Sequence, residues 1–286
     1  FFIIKIYSIG SFASDSLMFN TFKIIAEIIF VPLGGLRPDP KLSFMRVFHD
    51  KIMLKFDWNK FDMFTAISFA EKERLCELGF DDEKIDVVYN GGGNPNKLLN
   101  KKKSEKKIIL YIGRLSRPKN IDLLIDAFSL CELDNVELII AGPDFGAFEY
   151  LKQKTKDLDL GGEVIFKGRV SEEEKYQLLS NASVFVHPSL TDVFAITLIE
   201  AAQSGIPCIA FDVEANSEII ENGVTGILVK NPTPDSLSKS ILNILTHDDL
   251  AAKISENAKN TIPLKFNWKN TVNSLEQIFQ KTSSKV

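Results

Sequence analysis

Residues 164–211 read VIFKGRVSEEEKYQLLSNASVFVHPSLTDVFAITLIEAAQSGIPCIAF, and three short apolar runs in this stretch are separated by two helical patterns. Runs 164–167, 183–187 and 207–211 have the β-branched and aromatic content of buried strands. A polar helix over 172–179 joins the first two. The second helical stretch is apolar from Val193 to Ala202 except at Thr197 and Glu200, the composition of an element buried in an interior. Each strand therefore crosses over through a helix to the next, which predicts a doubly wound parallel α/β sheet.

The same alternation extends outward. Strands are expected at 108–112 and 136–141, with helices at 121–130 and near 148–156. In the first third, strands are expected near 2–7, 28–32, 63–68 and 85–89, with a helix over 70–78 that Gly79 closes. Between the two series lies NGGGNPNKLLNKKKSEKK, residues 90–107, rich in Gly, Asn and Lys and read as a linker. Residues 235–262 read as two polar-faced helices, and FNWKNTVNSLEQIF, residues 266–279, as a last amphipathic helix. The expected organisation is a partial N-terminal Rossmann-like domain over 1–104, a second Rossmann-like domain over 105–262, and a C-terminal helical segment over 263–286.

A chain of 286 residues is at the size where one core divides into two. Charged residues make up 25% and hydrophobic ones 45%, the balance of an ordinary globular protein, and a net charge of -4 argues against nucleic acid as a partner. Cys76, Cys131 and Cys208 are widely spaced in hydrophobic stretches and read as reduced residues of a cytoplasmic protein. The opening FFIIKIYSIG has no charged n-region or cleavage site and reads as a strand within a fold. The longest apolar run, 24–36, is interrupted by Glu27, Pro32 and two glycines, so no transmembrane segment is predicted.

Two clusters carry candidate chemistry. In ILYIGRLSRPKNIDLLIDAF, residues 109–128, a strand ends at Ile112, Gly113 allows a tight turn, Arg114 follows, and Lys119 stands where the next helix opens. Free N–H groups and two cations at a helix N-terminus suit a diphosphate, while the plain alternative is a set of solvated surface cations. The acids Asp192 and Glu200 would lie about 12 Å apart along a helix axis, too far for a glycosidase pair. Two carboxylates so placed suit an extended ligand, since each can clamp a vicinal diol such as a ribose. In the competing reading Glu200 pairs with a buried Lys or Arg and Asp192 caps the helix.

Other signals are weaker. Asp157 and Asp159 form an Asp-x-Asp triplet at a polar helix end and read as surface. His49, His187 and His247 form no metal-ligand pattern, and His187 reads as a partly buried strand-end residue. No metal site or cofactor is expected. SFMRVFHDKIMLKF, residues 43–56, is basic and amphipathic, suited either to packing on its own sheet or to peripheral contact with the inner face of a membrane.

In order and spacing, YIGRLSRPKN, ELIIAGPD, the 164–210 stretch and SEIIENGVTGILV resemble the C-terminal domain of retaining glycosyltransferases with the GT-B fold, the glycosyl transferase group 1 or GT4 type. FTAISFAEKERLCELGFDDEKIDVVYNGG, residues 64–92, looks like the end of that family's N-terminal domain. The resemblance implies a GT-B-like α/β fold, two Rossmann-like domains with parallel sheets facing a cleft, here with an incomplete N-terminal domain. It also implies a metal-independent hexosyltransferase taking a UDP-, GDP- or ADP-linked sugar as donor and a glycan or lipid-linked acceptor, as in polysaccharide biosynthesis. By the same resemblance Arg114 and Lys119 neutralise the diphosphate, Glu200 holds the ribose and Asp192 the transferred sugar, as the family's E-x7-E pair. Gly113 and Gly142 would line the donor, the backbone at Arg169 and Val170 would lie against the base, and Phe194, Ala195 and Ile196 would approach the sugar and phosphates.

Several positions depart from the family pattern. Asp192 stands where Glu is usual, Ala195 where Gly is usual, Glu214 and Ala215 where two glycines are usual, and Leu33 where many relatives carry an active-site His. The N-terminal region is about half the family's length. These departures keep three alternatives open: a truncated chain that binds donor, a catalytically silent binding relative, and a sugar-nucleotide epimerase of the same fold.

Overall fold

The structure, a computed structural model, describes residues 5–7, 28–30, 62–93 and 106–283. The chain divides into two compact units, Gly91–Asn267 and a second made of Phe1–Asn90 with Trp268–Val286.

The Gly91–Asn267 unit is built on six parallel strands, β5 (Lys107–Ile112), β6 (Val136–Ala141), β7 (Val164–Gly168), β8 (Val184–His187), β9 (Cys208–Phe211) and β10 (Ile227–Val229), in spatial order β10-β9-β8-β5-β6-β7. The interior strands β8 and β9 are buried at every position, as expected where helices cover both faces of a parallel sheet. Side chains alternate between the faces. Ile109, Tyr111, Leu138, Ile140, Val184, Val186, Ile209 and Phe211 point into one apolar cluster. Their neighbours Leu110, Phe185, His187 and Cys208 fall on the other face and are also buried.

Helices α2 (Ile121–Ser129) and α7 (Pro234–Thr246) pack in the first cluster through Ile121, Leu124, Ile125, Phe128, Leu237, Ile241, Ile244 and Leu245. That spacing is the apolar stripe of an amphipathic helix. The other crossovers are α3 (Phe148–Asp157), α4 (Glu172–Asn181), α5 (Ile196–Gln203) and the single turn α6 (Asn216–Ile219). Helix α4 opens on a capping box in which Ser171 and Glu174 satisfy each other's backbone N–H groups. Helix α5 buries six consecutive residues, Leu198 to Gln203, as its apolar composition predicts. It packs with α8 (Asp248–Lys265), which runs two residues past Pro263. A proline this close to a helix end removes one N–H bond, and Phe266 still donates to Ile262 O at 2.9 Å.

The strand order is that of a doubly wound fold, and its direction of winding reverses between β5 and β8. Ligands of open parallel sheets bind outside the carboxyl ends of the strands at such a reversal. The loops after β5 and β8 hold Gly113 to Lys119 and Pro188 to Ala195.

In the second unit, β1 (Lys5–Tyr7), β2 (Ile28–Phe30), β3 (Met63–Ala66) and β4 (Ile85–Val87) form a parallel sheet in sequential order, joined by α1 (Phe69–Glu77). Gly79 follows that helix at φ 94°, a left-handed turn that suits glycine. The last helix, α9 (Trp268–Ser283), belongs here: Ile278 packs with Met63 and Val88, and Thr271 donates to Tyr89 O at 2.7 Å.

Strand β10 was not anticipated, because its three residues are too few for a periodicity to reveal. The segments 31–38 and 43–56, with Leu33 and His49, lie outside the described residues. Among the described residues no helix is long and apolar enough to cross a membrane.

Candidate functional site

Three loops meet at the carboxyl ends of β5, β6 and β7. Gly113 N donates to Ala141 O at 2.9 Å, and Gly142 N donates to Gly168 O at 2.7 Å. Gly142 has φ 145°, and a Cβ there would lie 1.8 Å from the Gly113 carbonyl oxygen. Only a residue without a side chain permits that approach of two backbones. A Cβ on Gly113 would in turn lie 2.6 Å from the Tyr111 hydroxyl, which donates to Arg114 O at 3.0 Å. Burial, with the nearby Asp192 charge, pushes the Tyr111 phenol up despite Arg114, so it stays a neutral donor and fixes the turn that presents Arg114.

Arg114 is exposed, its guanidinium 5.4 Å from the centroid of the Phe145 ring. A 3-10 turn over Arg117–Lys119 then leads through Asn120, in a left-handed conformation, into α2. The turn points Lys119 back to the β8 loop, where its ammonium is ion-paired with Asp192 Oδ2. The Nε2 of buried His187, at the end of β8, stands 3.2 Å from the same oxygen. Burial alone would raise the Asp192 carboxyl, but His187 and Lys119 outweigh it and hold the carboxyl well below its usual range. Asp192 does not cap α5. That cap is Ala195 with no side-chain bond, and Ile196 N turns back to Phe194 O at 3.1 Å. The capping alternative for Asp192 is therefore set aside.

Glu200 lies on α5 with 8% of its surface exposed. Its Oε1 accepts from Lys175 Nζ at 2.8 Å, and the same ammonium donates to Glu172 Oε1 at 2.9 Å. The pairing alternative for Glu200 thus describes the structure, and the lysine is one the sequence reading did not single out. Burial pulls the Lys175 ammonium down, but its bonds to Glu200 and Glu172 prevail and hold it above the ordinary lysine value.

The glycine-rich stretch read as a linker begins as packed structure. Gly92 N donates to Phe266 O at 3.1 Å, and Gln203 Nε2 from α5 donates to the same carbonyl at 2.6 Å. A Cβ on Gly92 would lie 2.4 Å from Gln203 Oε1, and one on Gly93 2.5 Å from the Tyr176 hydroxyl and 2.8 Å from Glu200 Oε1. The glycines serve close packing against α5 rather than flexibility. Their signal was a run of three where one would suffice for a turn.

The remaining expected residues sit on the same carboxyl edge of the sheet. Arg169 is exposed and Val170 half-buried in the β7–α4 loop, beside Gly168 at φ 65°. Phe194 and Ala195 are buried and Ile196 is 41% exposed. Ala195 has φ -86°, so glycine is not required at that backbone position. Glu214, at φ 45°, does hold a left-handed conformation that glycine would adopt without cost. The structure thus groups Gly113, Arg114, Lys119, His187 and Asp192 at the β5/β8 reversal, and holds Glu200 with Lys175 on the adjoining helices α5 and α4, with Gly93 packed against them.

A doubly wound unit with cations and carboxylates at its winding reversal has the α/β architecture in which ligands bind at that edge of the sheet. The chain matches the family Glycosyl transferases group 1 over residues 96–261, and it belongs to that family. It is 29% identical over 255 residues to an uncharacterized glycosyltransferase of Methanocaldococcus jannaschii, covering 84% of this chain and 63% of that relative. The chain therefore spans less than two thirds of the relative's length. Among solved structures it is similar to sucrose-phosphate synthase from Thermosynechococcus elongatus, with TM-score 0.79 and 21% identity, over 92% of this chain and 70% of the other. It is similar also to Anabaena Alr3699/HepE in complex with UDP and glucose, with TM-score 0.77 and 22% identity, over 91% and 72% of the two chains. These likenesses carry the GT-B-like α/β fold.

Proposed function

We propose that the protein transfers a hexose from a nucleotide sugar to a glycan or lipid-linked acceptor, with retention of anomeric configuration, and that the Gly91–Asn267 unit binds the donor. The observation that carries this reading is the arrangement at the β5/β8 reversal: exposed Arg114 beside Lys119, with Asp192 held by Lys119 and His187. Departure of a nucleoside diphosphate builds negative charge on its phosphates. Fixed cations where that charge builds lower the barrier, each charge-assisted bond contributing about 1.5 to 3 kcal/mol.

In this reading Arg114 and the Lys119 ammonium receive the diphosphate, so transfer proceeds without a metal. Lys119 keeps Asp192 oriented toward the hydroxyls of the sugar, and Glu200 on α5 receives the ribose. The backbone at Arg169 and Val170 borders the base. Family membership supports the reaction class, and the UDP and glucose named with the Anabaena structure support a nucleotide sugar as the ligand class.

The test is transfer from radiolabelled UDP-, GDP- and ADP-sugars to a panel of glycan and lipid-linked acceptors, after a thermal-shift screen of the same donors. Acceptor-dependent transfer with retained configuration supports the proposal. Isomerisation of the donor without acceptor would assign an epimerase, and donor binding without turnover a silent relative.

A further inference from the structure

The residue that the donor reading leaves unused is Lys175. Its ammonium lies between two carboxylates on different helices, 2.9 Å from Glu172 Oε1 on its own helix α4 and 2.8 Å from Glu200 Oε1 on α5. The lysine side chain is 12% exposed and that of Glu200 9%, whereas Glu172 is 70% exposed. Lys175 also stands 5.2 Å from the centroid of the Tyr176 ring. On the other flank, the bare α-carbon of Gly93 faces Glu200 so closely that a Cβ would lie 2.8 Å from Oε1 and 3.1 Å from Cγ.

The last torsion of a glutamate is broad and roughly two-fold, so a carboxylate at the end of a helix side chain has no preferred plane of its own. Here one oxygen carries a charge-assisted bond and one flank is closed by backbone. Each carboxylate oxygen has two acceptor positions, so a bond from Lys175 leaves one on Oε1 and both on Oε2. Among the described residues, Oε2 of Glu200 accepts no hydrogen bond. We propose that Lys175 is a positioning residue for the donor: by holding Oε1 it fixes the plane of the Glu200 carboxylate and presents its remaining acceptor positions to the two vicinal hydroxyls of a ribose. Glu172 takes a second proton of the ammonium and keeps it on the α4 side. Lys175 touches Glu200 and acts on the ligand through it.

This rests on the reading of Glu200 as the ribose acid, and the experiment separates the two. Binding of UDP, GDP and ADP and of their 2′-deoxy forms is measured by calorimetry for wild type, Glu200→Gln, Lys175→Met and Lys175→Arg. The ratio of ribo to deoxyribo affinity within one variant is unaffected by its unfolded fraction, and thermal unfolding of each variant is followed alongside. Wild type is expected to favour the ribo form by about tenfold, the worth of a charge-assisted hydrogen bond. Lys175→Met is expected to reduce that preference to about threefold or less while retaining binding through the phosphates, and Lys175→Arg to restore most of it. A preference lost in Glu200→Gln but kept in Lys175→Met overturns the positioning role and leaves the ribose assignment standing. A preference kept in Glu200→Gln, or absent from wild type, overturns the ribose assignment and the positioning role with it.

Discussion

Lys175 Nζ and Glu200 Oε1 are 2.8 Å apart across two helices, both side chains about nine-tenths buried, and this contact rather than a core position accounts for a carboxylate in an apolar helix. Removing one partner leaves the other buried and uncompensated, so Lys175→Met is expected to lose about 3 kcal/mol of stability by urea unfolding. Replacing both, in Lys175→Met with Glu200→Met, is expected to cost less than the lysine change alone. Because the Lys175 value is raised, its contribution is complete below its ordinary 10.5 and lost as pH rises through the folded value. The loss in Lys175→Met is therefore the same across neutral pH.

Gly142→Ala tests the backbone crossing. A Cβ 1.8 Å from the Gly113 carbonyl oxygen has no flexible neighbour to move, and φ 145° is strained for any other residue. A loss of about 3 kcal/mol or more is expected by denaturant unfolding. Gly113→Ala meets only the Tyr111 hydroxyl end and is expected to lose less.

Asp192→Asn tests the acid held by Lys119 and His187. Its carboxyl lies well below the ordinary 3.8, so its contribution is complete above 3.8 and disappears as pH falls through the folded value. The stability difference between wild type and Asp192→Asn is expected to shrink as pH falls below about 4. Unfolding curves at stepped pH read this directly.

Arg114→Ala separates chemistry from folding. The side chain is exposed, so stability is expected to change by less than about 0.5 kcal/mol. Turnover with the preferred donor is expected to fall about a hundredfold, the scale of losing one fixed charge at a developing anion. Equal small changes in both would identify a surface cation, and full activity in excess EDTA is expected alongside.

Gly93→Ala probes the flank of Glu200. The Cβ would meet the far ends of Tyr176 and Glu200, which can give way, so a stability loss of only about 1 kcal/mol is expected. Glu200 is displaced in doing so, and affinity for ribonucleoside diphosphates should fall more than affinity for their 2′-deoxy forms.

The alternation of strand and helix was legible because parallel strands buried on both faces leave unbroken apolar runs, as in β8 and β9. Gly113, Arg114, Lys119, Asp192 and Glu200 could be singled out because each breaks the local pattern at an element end or inside an apolar helix. Lys175 could not. It stands in SEEEKYQLL, where a lysine three residues after a glutamate is ordinary on a solvated helix, and its distinction arises only from packing against α5. The close packing of Gly92 and Gly93, at the start of the segment read as a linker, was not legible for the same reason: composition gives one signal for a flexible glycine and for a close-packed one. The charge state of Asp192 was equally out of reach, since Lys119 arrives from the turn that follows β5 and His187 from the end of β8.

The hydrogen bond from Gly92 to Phe266 brings the two ends of the Gly91–Asn267 unit side by side. Topologically that unit is an insertion, entered and left at one point, within a chain whose other unit resumes at Trp268. An excised fragment from Gly91 to Asn267 would have adjacent termini, so a short peptide could join them into a circle, and permuted chains could open at the exposed loop around Gly161 and Gly162 instead.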